Sequence, residues 1–319
     1  MTLTSTDDLA HDHDGGDAWQ ESVAVWFFDD TTGVGGFFRI GSHPTQGFGR
    51  VNLFTFREGV HRFRRVDERV PLGDWAGAGS DLVVGTARAG VDGEDVVFSW
   101  RDHDCDADLR FSGFYPRQGF GGRAADDAHL QADVYTGHLE CSGRLVGRVR
   151  LGDETTAVDA LCHRDRSWGP RRIDAIHTNR MFTGTTGPEL SFACNEIQTV
   201  DGTVSQVGFV VRDGTVEQYS GFELLPSIRL DGYSVVSGTC RITLESGEEL
   251  LLSAETVAGQ LTPYDGYLCS EHISRVRCGD LVGFCDNELT NNPRLGREEP
   301  RFLIDVDGGD GLRPFPAGG

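Results

Sequence analysis

Lysine is absent from the 319 residues, so all 29 basic side chains are arginine, set against 50 acidic ones and a formal net charge of -21. A chain this acidic repels nucleic acid and anionic bilayers through its long-range field, which excludes a nucleic-acid role. No run of about 18 apolar residues occurs, so no membrane insertion is expected. The first residues lack a basic region followed by an apolar one, which argues against a secretory leader and for a cytoplasmic protein. CxxC spacing is missing among the eight cysteines (Cys105, Cys141, Cys162, Cys194, Cys240, Cys269, Cys278 and Cys285), and a reducing compartment disfavours disulfides. The cysteines read as small buried apolar residues, with neither metal nor cofactor expected. A GxSxG elbow, an HExxH helix, a phosphate-binding loop and a dinucleotide fingerprint are all lacking.

Strong helix formers are sparse, while Val, Thr, Phe and 43 Gly are plentiful. From Glu21 onward, short apolar or alternating runs are closed by turn residues. Asp92-Gly93, Asp201-Gly202, Asp213-Gly214 and Asp231-Gly232 are the clearest hairpin signals. Ala132 to Arg150 reads as a hairpin turning near Gly143. Short helices are considered only at Asp126 to Leu130 and Asp174 to Asn179. The runs amount to roughly sixteen to twenty strands, too many for one ordinary closed barrel and suited to two β halves. The expected layout is a disordered acidic tail over 1–17, an N-terminal β domain over 18–155, a C-terminal β domain over 156–305 and a loose tail over 306–319. His11-Asp12-His13-Asp14 is read as solvated tail rather than as a metal site.

The most unusual stretch is Cys162-His163-Arg164-Asp165-Arg166-Ser167-Trp168-Gly169-Pro170-Arg171-Arg172. Strand alternation places His163, Asp165 and Ser167 on one face and Arg164, Arg166 and Trp168 on the other. In a chemical reading, His163 and Asp165 share a proton as a general acid–base pair, an arginine orients the carboxylate, and Trp168 stabilises a cation. In a structural reading, Arg–Asp pairs lock strand ends and Trp168 plugs a barrel mouth. The spacing leaves both readings open.

HRDRSWGPR resembles the central signature of a lipocalin-like superfamily that includes carotenoid 1,2-hydratases, AttH-type proteins and fungal Diels–Alderase relatives. Glu21-Ser22-Val23, Trp26-Phe27-Phe28-Asp29, Arg39-Ile40-Gly41 with Pro44, and Gly283 to Glu288 are similar to its flanking strands. The resemblance implies an all-β fold of two calycin-type antiparallel barrel or sandwich halves packed side by side. It also implies a hydrophobic, often isoprenoid small-molecule substrate, and chemistry by protonation or by shape without a cofactor. The usual histidine before Ser-Trp-Gly is Arg166 here, with His163 three residues earlier.

The reading that combines these observations is a cofactor-free hydratase, dehydratase or isomerase acting on a terpene-like alkene or alcohol. Asp165 and Glu196 are the candidate acids, and His163 tunes or relays the proton. Trp168, Arg164 and Arg166 stabilise or orient, with Trp26, Phe28, Tyr267 and Glu288 as further pocket residues. Phe37, Phe54, Phe56 and Trp100 read as core. A non-catalytic carrier of a hydrophobic metabolite and a shape-templating pericyclase remain the alternatives.

Overall fold

Period-two alternation runs almost the whole length of the chain, and the backbone follows it. The computed structural model describes residues 3–13, 15–58, 61–73, 77–119, 134–264 and 267–292. Twenty strands are found among the described residues. Eleven form the first sheet: β1 (Trp19–Asp29), β2 (Val34–His43), β3 (Phe48–Arg57), β4 (His61–Pro71), β5 (Leu82–Val84), β6 (Ala87–Asp92), β7 (Asp95–Arg101), β8 (Cys105–Gly113), β9 (Gln118–Gly119), β10 (Gly137–Leu151) and β11 (Glu154–Pro170). Nine form the second: β12 (Ile176–Gly187), β13 (Leu190–Thr199), β14 (Val204–Arg212), β15 (Thr215–Glu217), β16 (Tyr219–Ile228), β17 (Val235–Leu244), β18 (Glu249–Tyr264), β19 (Tyr267–Cys278) and β20 (Leu281–Asn291).

The fold is therefore all-β, as two nearly closed antiparallel barrel-like sheets of lipocalin type. The first runs β4-β3-β2-β1-β11-β10-β8-β7-β6-β5, with β9 beside β10, and the second runs β15-β14-β13-β12-β20-β19-β18-β17-β16. The first sheet curls enough for Phe38 of β2 to stack on Trp100 of β7, with ring centroids 5.3 Å apart. The second packs Phe182, Phe192, Val210, Cys240, Leu252 and Cys285 into its core. Its open seam is bridged by the side chains of Gln206 and Tyr219, the Tyr219 hydroxyl of β16 donating to the Gln206 carbonyl of β14 (3.2 Å). Gln206 of β14 donates from Nε2 to the Phe222 carbonyl of β16 (2.8 Å), and its Oε1 accepts the Phe222 amide (3.3 Å). The four Asp-Gly pairs at 92–93, 201–202, 213–214 and 231–232 fall in hairpin connections. Asp213 and Gly214, at φ 49 and 76, make the two-residue turn between β14 and β15 that needs left-handed backbone at both positions.

Three expectations are corrected. The two compact units divide after Arg172 rather than at 155, so the central motif belongs to the first unit. The reason is register: β11 pairs with β10 over most of its length and with β1 from Leu161 to Pro170, and so joins the two arms of the first sheet. Gly143 makes no turn, because β10 runs unbroken to Leu151 and the chain reverses at Gly152. A Cβ at Gly143 would lie 2.2 Å from the Ser112 carbonyl oxygen, so glycine here permits close strand approach. The amino-terminal segment is not a loose tail over its described residues. Ser5–Asp8 forms a 3-10 turn, and Asp8 is buried. At the second helical candidate only Ile173–Ala175 makes a 3-10 turn, before β12 begins. Asp126 to Leu130 and the tail over 306–319 lie outside the described residues.

Candidate active site

Alternation along β11 separates the motif into two sets of side chains, and each set has its own work. Arg164, Arg166 and Trp168 hold the amino-terminal segment. Arg164 is fully buried and clasps Asp8 with both terminal nitrogens (2.5 and 3.0 Å), its guanidinium 4.9 Å over the Phe111 ring. Arg117 reaches the same carboxylate from Nε at 2.7 Å. Arg166, also fully buried, donates to the Leu9 carbonyl (2.8 Å) and the Ser22 carbonyl (3.1 Å), and pairs with Glu21. Burial would raise the Glu21 pKa, but His11 and Arg166 outweigh it and hold the carboxyl below its ordinary value. Trp168 stacks on His11, with centroids 3.8 Å apart and planes within 11°. Gly169 then carries φ +120, and a Cβ there would meet the Thr136 amide nitrogen at 2.2 Å, so Ser-Trp-Gly requires its glycine.

The opposite face of β11 carries His163, Asp165 and Ser167, and the paired positions of β10 add Ser142, Glu140 and His138. A directed chain of hydrogen bonds runs through them. Tyr115 donates its hydroxyl to Ser142 Oγ (3.2 Å). Ser142 Oγ lies 2.8 Å from His163 Nδ1, and His163 Nε2 lies 3.1 Å from Glu140 Oε2. His138 Nε2 holds the other oxygen, Oε1, at 3.1 Å. Ser167 pairs with Ser22 at 2.9 Å and accepts from Arg171 at 2.7 Å.

Glu140 and Asp165 are cross-strand partners, and their protons are driven apart. Burial pushes the Glu140 pKa up, but hydrogen bonds from His138 and His163 overturn that and bring it down to about 2. Asp165 is half-buried and accepts only the Ala24 amide (3.0 Å) among its described hydrogen bonds. Burial raises its pKa, His138 opposes the shift, Glu140's charge adds to it, and Arg39 and Arg171 oppose it more weakly. One carboxyl is held below its ordinary range beside another held above it. That division defines many acid–base sites.

Aromatic rings extend the same face. Trp26 is the β1 partner of His163, with ring centroids 6.4 Å apart, and lies 5.4 Å from Phe37. Phe28 stacks on Phe56 at 6.0 Å. A Cβ at Gly35 would meet both of those rings within 3 Å, so the ring overlap depends on that glycine.

Glu196, Tyr267 and Glu288 lie in the second sheet. Glu196 is half-buried, accepts from Gln206 (3.0 Å) and lies 3.8 Å from Arg180, a bracing arrangement. Tyr267 is buried and reaches the Ile176 carbonyl at 3.5 Å. Glu288 accepts from Asn179 (2.9 Å) and Thr290 (2.7 Å). Near it, burial pushes Asp286 well above its ordinary value, and the charges of Glu271 and Glu288 add to the rise. Among the described residues, Cys269, Glu271 and Glu288 are the group whose donor atoms converge closely enough to hold a cation. The sequence reading missed Glu140, His138 and Ser142. Their signal was available: three polar residues at every second position, alternating with Leu139 and Cys141 at the start of β10.

The profile of a family described as "Domain of unknown function (DUF7064)" matches residues 4–293. No curated protein matches the sequence. Among solved structures, an AttH-like protein from Nitrosomonas europaea superposes with a TM-score of 0.62 at 13% identity, covering 88% of this chain and 94% of its own. Kievitone hydratase from Nectria haematococca gives 0.56 at 10% identity, covering 91% and 92%. CghA bound to Sch210972 gives 0.55 at 11% identity, covering 86% and 89%. These likenesses are of fold, at 13% identity or less, and agree with the two-sheet lipocalin-like architecture. No helix among the described residues is long and apolar enough to cross a membrane.

Proposed function

The chain belongs to the DUF7064 family, and from its own residues we propose that it is a cofactor-free hydratase, dehydratase or isomerase that protonates a hydrophobic, isoprenoid-like alkene or alcohol. The observation that carries this reading is the cross-strand Glu140–Asp165 pair, in which burial raises the pKa of Asp165 while two histidines lower that of Glu140. Asp165 is the acid. It delivers its proton to an alkene carbon or to a departing hydroxyl. Glu140 remains ionised between His138 and His163, stabilises the positive charge that develops and sets the proton affinity of Asp165. Trp26 and Phe37 offer ring faces to a tertiary cation on the same side of the sheet. In the hydration direction, water captures the cation and its proton returns to Asp165. Arg164, Arg166 and Trp168 act at a distance by fixing β11. Glu196 braces the second sheet and is not the acid. The likeness to kievitone hydratase carries the fold, and the reaction class rests on Asp165.

The test is incubation with a panel of monoterpene alcohols and alkenes in deuterated water, followed by mass spectrometry. Deuterium in a hydrated, dehydrated or isomerised product is expected, with Asp165→Asn slowing turnover by roughly 10²–10⁴-fold. Full turnover in a folded Asp165→Asn protein would remove Asp165 as the acid. Tight binding of an unchanged ligand would indicate a carrier.

A further inference from the structure

We infer that Cys269, Glu271 and Glu288 form a binding site for a divalent cation of the zinc type, a site apart from the proton chemistry of the first sheet. Cys269 and Glu271 stand two residues apart on β19 and so share one face, and β20 brings Glu288 to it. The thiol sulfur and one oxygen from each carboxylate all lie within 4.8 Å of one another. Zinc takes sulfur at about 2.3 Å and oxygen at about 2.0–2.2 Å, so small side-chain rotations bring three such donors onto one ion. One thiolate with two carboxylates is a donor set of borderline softness, suited to zinc and poorly suited to magnesium or calcium.

The surroundings point to a ligand independently. Gln260 is fully buried directly across from Glu271 on β18, and neither atom of its amide has a hydrogen-bond partner among the described residues. Asp286 is fully buried two positions before Glu288, on the same face, and its Oδ2 is likewise without a described partner. Buried polar groups are normally satisfied, and the Gln260 amide, on the face that Glu271 and Cys269 share, is left for a ligand to satisfy. Gln260 Oε1 offers a further oxygen donor, and a water on the metal can accept from Gln260 Nε2. Asn179 and Thr290 both donate to Oε1 of Glu288 and fix that carboxylate's orientation, as outer partners of metal ligands do. In the metal-free form the Cys269 thiol donates to Glu271 Oε1 at 3.3 Å. Binding displaces that proton: the thiol and M²⁺ give a thiolate–metal bond and one released H⁺.

The experiment is a titration of the full-length protein, first stripped with a chelator, with Co²⁺ and then Zn²⁺. A thiolate-to-cobalt charge-transfer band that saturates at one equivalent and is displaced by Zn²⁺ is expected. Cys269→Ser should abolish the band, and Glu288→Gln should weaken affinity by about tenfold or more. Circular dichroism confirms that each variant is folded, and Glu271→Gln, with the same expected weakening, substitutes if Cys269→Ser does not fold. Absence of a saturable band, or a band unchanged in the folded variants, overturns the site. The readout is metal binding, so its outcome is separate from that of the deuterium assay.

Discussion

Glu140 and Asp165 sit opposite each other on β10 and β11, and the same burial that raises one pKa is overturned at the other by two histidines. The difference lies in the partners. Glu140 has an imidazole nitrogen on each oxygen, while Asp165 has a single described backbone donor.

Glu140 should therefore contribute to stability in a defined pH window. Its folded pKa of about 2 lies below the ordinary 4.5, so the contribution is complete above pH 4.5 and is lost as pH falls toward 2. Glu140→Gln should cost about 3 kcal/mol at neutral pH, and the deficit should shrink below pH 4.5. Urea denaturation of both proteins across that range checks this. A constant difference would show that the histidine pairing does not set the Glu140 charge.

Asp8 and Arg164 are both buried, and Asp8 is the carboxylate that Arg164 clasps, so removing Asp8 leaves Arg164 as an uncompensated charge. Asp8→Asn should destabilise the protein by about 3–5 kcal/mol. The midpoint of unfolding by tryptophan fluorescence measures it, and the same trace reports whether the His11–Trp168 stack is lost early.

His272 lies in the core of the second sheet as a neutral ring, its Nδ1 2.9 Å from the Asn287 carbonyl and its Nε2 accepting the Val235 amide at 3.0 Å. Burial lowers its pKa to about 4. Below pH 6.5 the unfolded chain takes up a proton that the folded one refuses, so stability falls as pH drops from 6.5 to 4, by about 3 kcal/mol in all. His272→Gln should start less stable at pH 7 and lose less over that interval, as thermal melts in a pH series will show.

Gly169→Ala places a Cβ against the Thr136 backbone at a left-handed φ. A loss of about 2–4 kcal/mol is expected, whereas the same change at Gly47, which has open space around it, should cost about 1 kcal/mol through φ alone. Differential scanning calorimetry of the pair separates crowding from conformational cost.

Much of the fold was legible because alternation and Asp-Gly turns are local signals. The split of HRDRSW into two faces follows from period two alone, and the strands confirm it. The amino-terminal segment was misread because its composition is that of a solvated tail, and composition does not reveal which carboxylate will meet a distant arginine. The hint lay in the motif: arginines on the core face of a strand demand buried carboxylates, and Asp8 and Glu21 were the ones available. Gly143 was misread because a strand glycine signals either reversal or close approach, and only the neighbouring strand decides. Trp168 was expected either to face a ligand or to plug a barrel mouth, and its stacking partner His11 comes from 157 positions earlier in the chain, beyond the reach of any window on the sequence.

The central position of β11 also dictates when the first barrel can form. Ala24 pairs with Asp165, 141 residues later, and Asp8 waits 156 residues for Arg164. On the ribosome, β1 to β4 emerge as a meander with one side unpaired, and the ring is completed only after Pro170 leaves the exit tunnel. Closure is thus a late, long-range event, and by the dependence of folding speed on sequence separation it should be slow. Until then the edge of β1 is exposed to any other nascent chain, which makes the interval before β11 arrives the period of greatest aggregation hazard in the life of this protein.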